Sequence, residues 1–176
     1  MPKVSLLKLI DEALLPAFLV FGAKLFGLFS ASLIFGLEWQ AQTSLSYSST
    51  LWVGFGGKEP TLLANDVATL FMFVVISAGF GWVLYRAHYL NISHLHPSQV
   101  KKHLLAKNEA LLVDTYEIYH QAAVWLSLNW LAFLTASLDF FAGNLSLFVF
   151  ALSIGVTLTL LFSLATNVSK ELKLAR

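Results

Sequence analysis

The chain contains no cysteine and little charge. Without thiols it forms no disulfide, thiolate metal site or iron–sulfur cluster and offers no thiol nucleophile, so membrane oxidoreductases that exchange disulfides are excluded as well. Charged residues make up 12% of the 176 positions, about half the share typical of soluble domains. A formal net charge of +1 gives no acidic or basic imbalance from which a charged partner could be argued, and nothing supports nucleic-acid binding. The motifs G-x-S-x-G and H-E-x-x-H are absent, and the "GFGG" at 54–57 lacks the Lys-Ser/Thr that a phosphate loop requires.

What the chain has instead is apolar length. Hydrophobic residues make up 57% and the mean hydropathy is +0.73, which points to lipid as the solvent for most of the chain. A helix crossing the hydrocarbon needs about 20 mostly apolar residues. Four segments meet that need, at 13–37, 66–86, 116–138 and 145–167. The second and fourth carry no charge in their apolar stretches "VATLFMFVVISAGFGWVLY" and "LSLFVFALSIGVTLTLLFSLAT". The first is read as a retained span and not as a cleaved signal peptide, because Asp11, Glu12 and Lys24 interrupt the signal pattern and its apolar run is too long for one.

Orientation follows from the basic residues. With the N-terminus inside, nine of the eleven Lys and Arg fall on the cytoplasmic side, in the N-terminal segment, the middle loop and the tail. Only Lys58 lies opposite and Lys24 lies within a span, so both termini are expected in the cytoplasm. The external loop, 38–65, is expected to lie on the membrane surface, with a re-entrant loop as the alternative. Its Leu51, Val53 and Phe55 alternate as a hairpin arm would, and Gly56-Gly57 supplies a turn. From Ser98 onward the chain runs without Gly or Pro into the third span, which predicts a helical cytoplasmic extension over 98–115. "DFFAGN" allows a tight hairpin between the last two spans.

Within these spans a few polar residues stand out. "DTYEIYHQAAVWLSLNWLAFL" places Asp114, Glu117, His120 and Gln121 on one helical face at the start of the third span. Ionisable groups in spans rarely face lipid, so this face is expected to look inward. Lys24 lies 11 residues into the first span, roughly 17 Å from its cytoplasmic end. Helical side chains lean toward the N-terminus, here the cytoplasmic side, which carries Lys24 toward the depth of His120 and Glu117. This predicts an ion pair with Glu117, the alternatives being an unpaired snorkelling lysine or contact with Asn129 at a similar depth. The predicted intramembrane polar cluster is therefore Lys24, Glu117, His120, Gln121 and Asn129.

The five histidines do not make a metal or haem site. "HLH" at 94–96 has no third ligand nearby, and His120 and His88 would differ in depth by about 9 Å. No cofactor or metal is expected. Small residues recur four apart in every span, as Ala23 and Gly27, Ser77 and Gly81, Ala132 and Ala136, and Ala151 and Gly155, which suits close helix packing or oligomers.

The sequence thus predicts an all-α fold, a single four-helix transmembrane bundle. The function expected is a non-catalytic membrane component such as a scaffold, accessory subunit or assembly partner, in contact with the bilayer and with other subunits or further copies. A small oligomeric channel or transporter lined by spans one and three is the alternative, and a haem-binding or other membrane enzyme comes third.

Overall fold

The computed structural model describes residues 13–41, 53–91 and 115–174. Four helices dominate: α1 (Leu15–Phe35), α2 (Lys58–Tyr89), α3 (Thr115–Phe141) and α4 (Leu147–Leu174), with a short antiparallel pair, β1 (Trp39–Ala41) and β2 (Val53–Phe55), between the first two. All four helices are long and apolar enough to cross a membrane. The extension expected over 98–115 lies outside the described residues apart from Thr115, where α3 begins as described.

Helix α1 starts with Pro16 in its first turn, where a missing N–H is harmless. It ends at Gly36, whose φ of 64° is the left-handed conformation that glycine adopts without steric cost. Its buried residues, Pro16, Val20, Ala23, Lys24, Gly27, Leu28, Ala31 and Ser32, recur largely at three- and four-residue spacing and form one stripe. The stripe lies along α2, whose Ala64, Asn65, Ala68, Thr69 and Met72 show the same spacing. Glycine is required at the crossing, because a Cβ on Gly27 would stand 2.5 Å from Ala68 Cα.

Helix α2 begins at Lys58, well before the expected span start at 66, so the connection from α1 to α2 is shorter than the 38–65 loop read from the sequence. Hydropathy falls across Lys58, Glu59, Asn65 and Asp66, but helical hydrogen bonding does not require apolar side chains. Gly57 precedes the helix and Pro60 sits in its first turn, both ordinary features of a helix start. Val53 and Phe55 lie in β2 as their alternation suggested, while Leu51 is outside the described residues. Phe55 is buried among Leu28, Ala31, Ala64 and Ala68, closing the end of the α1–α2 pair.

The second core lies where α2, α3 and α4 meet. Phe73, Ile76, Phe80 and Val83 of α2 pack with Ile118, Ala122 and Trp125 of α3 and Val149 and Leu160 of α4. Gly79 leaves room for the Trp125 ring, which a Cβ there would strike. The α3–α4 connection is the tight hairpin expected, turning at Gly143 with φ 75°. Large apolar side chains are left exposed around the bundle, among them Phe18, Leu33, Ile34, Val74, Leu138, Phe148 and Phe162. Such a belt suits lipid and not water.

Candidate functional site

One stripe of α3 organises the polar interior. Its buried residues are Ile118, Ala122, Trp125, Asn129, Ala132, Ala136 and Asp139, again three and four apart. Polar groups along it meet the neighbouring helices in three separate layers.

The first layer joins α1 to α3. Lys24 Nζ donates to Asp139 Oδ2 at 3.1 Å, and the two side chains are only 7% and 4% exposed. This corrects the expected Lys24–Glu117 pair. Asp139 and Glu117 are 22 residues apart on one helix, about 33 Å, so a lysine on Asp139 cannot also reach Glu117. The physical reason is the relative height of the helices. Gly27 abuts Ala68, two residues from Asp66, and α1 runs antiparallel to α2, so Lys24, one turn before Gly27, stands level with about Met72, in the half of α2 that begins at Lys58. Nearby on that stripe of α2, Thr69 Oγ1 and Asn65 Nδ2 are buried with no hydrogen-bond partner.

At the same end, Asp66 Oδ1 accepts the backbone N–H of Ser146 at 2.8 Å. Ser146 Oγ in turn accepts the N–H of Val149 at 3.3 Å, which caps the start of α4. Asn144 N–H donates to the backbone carbonyl of Asp139 at 2.8 Å, so the helix that carries the ion pair is closed by the same turn. Asp66→Ala is expected to lower stability by about 1 kcal/mol, the usual scale for a helix cap, measured by thermal unfolding of the purified protein. A change within error would show that the Asp66 bond contributes nothing beyond solvation.

The second layer joins α3 to α4, where Asn129 Nδ2 donates to Thr157 Oγ1 at 3.1 Å. Asn129 therefore contacts the fourth helix, and neither Lys24 nor Glu117 shares its layer. Its Oδ1 is buried without a partner.

The third layer joins α2 to α3. Arg86 Nη1 donates to Gln121 Oε1 at 3.0 Å, and Gln121 Nε2 donates to Glu117 Oε1 at 3.4 Å. One turn further, Asn91 and Thr115 exchange hydrogen bonds at 3.2 and 3.3 Å. His120 stacks on Tyr116 with ring centroids 6.5 Å apart, and His88 packs edge-on against Tyr89 at 4.9 Å. Asp114 of the expected polar face lies outside the described residues.

The five residues expected to cluster are thus divided: Lys24 with Asp139, Asn129 with Thr157, and Glu117 with Gln121, with His120 beside Tyr116. Sequence reasoning missed Asp139, Asp66 and Arg86. Asp139 had a legible signal, because 129, 132, 136 and 139 continue one helical stripe and the aspartate is its last member. The chemistry of the three layers is hydrogen bonding and charge pairing between helices. Among the described residues no group of three or more His, Asp or Glu could hold a metal ion. No family model, curated protein or solved structure matches this chain.

Proposed function

We propose that the chain is an integral membrane protein with both termini in the cytoplasm and that it acts as a non-catalytic scaffold, accessory subunit or assembly partner in a larger membrane complex. The observation that carries this reading is the disposition of the polar layers. Each is engaged by a neighbouring helix, and successive layers are separated along α3 by buried apolar residues, Trp125 between Gln121 and Asn129 and Ala132 and Ala136 between Asn129 and Asp139. Separations of eight and ten residues amount to about 12 and 15 Å, too far for a proton or ion to pass directly from one layer to the next. Groups so placed fix which helices pair and in what register, a use of buried polar residues known from helix assemblies.

Outward-facing features support assembly. Gly81, Ala151 and Gly155 are exposed, and a Cβ on either glycine would have nothing within 4 Å, so close approach by another helix is open on these faces. The positive-inside distribution supports the orientation. Single cysteines introduced at Ser5, Ser98 and Ser169 are expected to resist an impermeant thiol reagent in intact cells, whereas one at Ser48 is labelled. Labelling at Ser98 would reverse the orientation.

The channel reading draws on a specific observation too, the unpartnered buried atoms of Asn65, Thr69 and Asn129. Flux separates the two. The purified protein in sealed vesicles is expected to leave the proton and potassium permeability of the bilayer unchanged. A flux present in the wild type and lost in Lys24→Met would replace the scaffold with a channel.

A further inference from the structure

Helix α2 has a charge-free stretch bounded by Asp66 and Arg86. Twenty residues separate the two, a rise of about 30 Å, which equals the thickness of the hydrocarbon layer. On the membrane reading above, on which this inference rests, Arg86 therefore sits where the acyl chains give way to headgroups. The aromatic residues agree with that depth. Trp82 stacks on Tyr85 at 5.6 Å, Tyr85 meets Tyr89 at 5.0 Å, and all three rings are about half exposed. Amphipathic rings of this kind collect at the membrane–water interface.

Among the described residues Arg86 lacks a directly bonded anion. Its Nη1 is bound to the neutral amide of Gln121, and the Glu117 carboxylate is joined to it through that amide. Its Nε is buried with no hydrogen-bond partner. A half-buried guanidinium with an unsatisfied donor is costly, since a desolvated charge and an unmade hydrogen bond both count against it. The Gln121 bond leaves the Nε/Nη2 edge of the guanidinium, and Nη2, which is neither hydrogen-bonded nor buried, is the nitrogen on that edge through which a phosphate oxygen is met from outside.

We propose that Arg86, flanked by Trp82, Tyr85 and Tyr89, is a binding site for the phosphate of an anionic phospholipid. The rings hold the glycerol and upper acyl region against α2 while the guanidinium edge takes the phosphate. Gln121 acts as a positioning residue, because its amide holds Nη1 and leaves Nη2 to meet the phosphate; Glu117 holds Gln121 in place.

The test uses the full chain in phosphatidylcholine nanodiscs with and without phosphatidylglycerol, counting bound phosphatidylglycerol by native mass spectrometry and following thermal unfolding. Wild type is expected to retain phosphatidylglycerol preferentially and to unfold at a higher temperature in its presence. Arg86→Gln is expected to weaken that binding about tenfold, and Arg86→Lys, which keeps the charge but loses the fork, to fall between. Tyr89→Leu changes an exposed ring and leaves the Arg86–Gln121 bond intact, so it is expected to lower lipid retention even if Arg86→Gln fails to fold. Unchanged phosphatidylglycerol binding in both Arg86→Gln and Tyr89→Leu overturns the site while leaving membrane insertion untouched. Stabilisation of the detergent-solubilised protein by inorganic phosphate as strong as that by phosphatidylglycerol overturns the assignment to lipid. Release of wild-type protein from native membranes by alkaline carbonate overturns the membrane reading, and the lipid site with it.

Discussion

Lys24→Met is expected to destabilise the protein by about 3–5 kcal/mol, and Asp139→Leu by a similar amount, because removing one partner of a buried ion pair leaves the other charge buried with that attraction lost. Both side chains are almost wholly buried and lie 3.1 Å apart, so neither survivor can be rescued by solvent. The double variant Lys24→Met/Asp139→Leu is expected to lose far less than the sum of the single losses, since a buried ion pair replaced by apolar groups of similar volume is often close to neutral. Thermal unfolding in mild detergent measures all three. Lys24→Met combined with Glu117→Gln provides the contrast, because those residues lie in different layers and their effects are expected to add within about 0.5 kcal/mol. Strong coupling between Lys24 and Glu117, with none between Lys24 and Asp139, would contradict the helix register described above.

The second large effect concerns two glycines of α1 that differ only in what faces them. A Cβ on Gly27 would stand 2.5 Å from Ala68 Cα and 3.1 Å from Ala68 N. These are backbone atoms, which cannot rotate aside, so α1 and α2 would have to separate. Gly27→Ala is therefore expected to cost about 2 kcal/mol even though alanine is the better helix former. At Gly22, five residues earlier, a Cβ would have nothing within 4 Å. Gly22→Ala is expected to be neutral or to stabilise by up to about 1 kcal/mol, the propensity gain alone. Chemical and thermal unfolding of both variants gives opposite signs for the same substitution. Equal effects would mean that the α1–α2 crossing is not the close contact described. Because Lys24 lies one turn from Gly27, separation of these helices is also expected to weaken the bond to Asp139.

Much of the architecture is legible in the sequence because crossing hydrocarbon imposes a length and a composition that can be read directly. The apolar segments at 13–37, 66–86, 116–138 and 145–167 all fall largely within the four helices. Helix ends are less legible, because helices continue where hydropathy stops, as α2 does from Lys58 to Asp66. The polar partners are the least legible. Pairing Lys24 with Glu117 rests on the lean of the lysine toward the N-terminal end of its helix, whereas the packing of the helices sets what it meets. With Gly27 against Ala68, Lys24 meets Asp139, a residue that reads as part of a connection when hydropathy alone is considered. The Asn129–Thr157 pair shows the same difficulty. Asn129 stands out as a polar residue in a span, but its partner on α4 depends on which face α4 presents, and the apolar run around Thr157 does not reveal that face. Helix periodicity retains part of this information, since Asn129 and Asp139 belong to one buried stripe of α3.

The proposed role stands or falls on whether other chains accompany this one in the membrane. Native mass spectrometry of particles released directly from native membranes in mild detergent measures this whatever the identity of the partner. The scaffold account expects this 19.5 kDa chain within a heavier particle that releases at least one different polypeptide on collisional activation. A particle containing this chain alone, or only whole multiples of its mass with bound lipid, would contradict it.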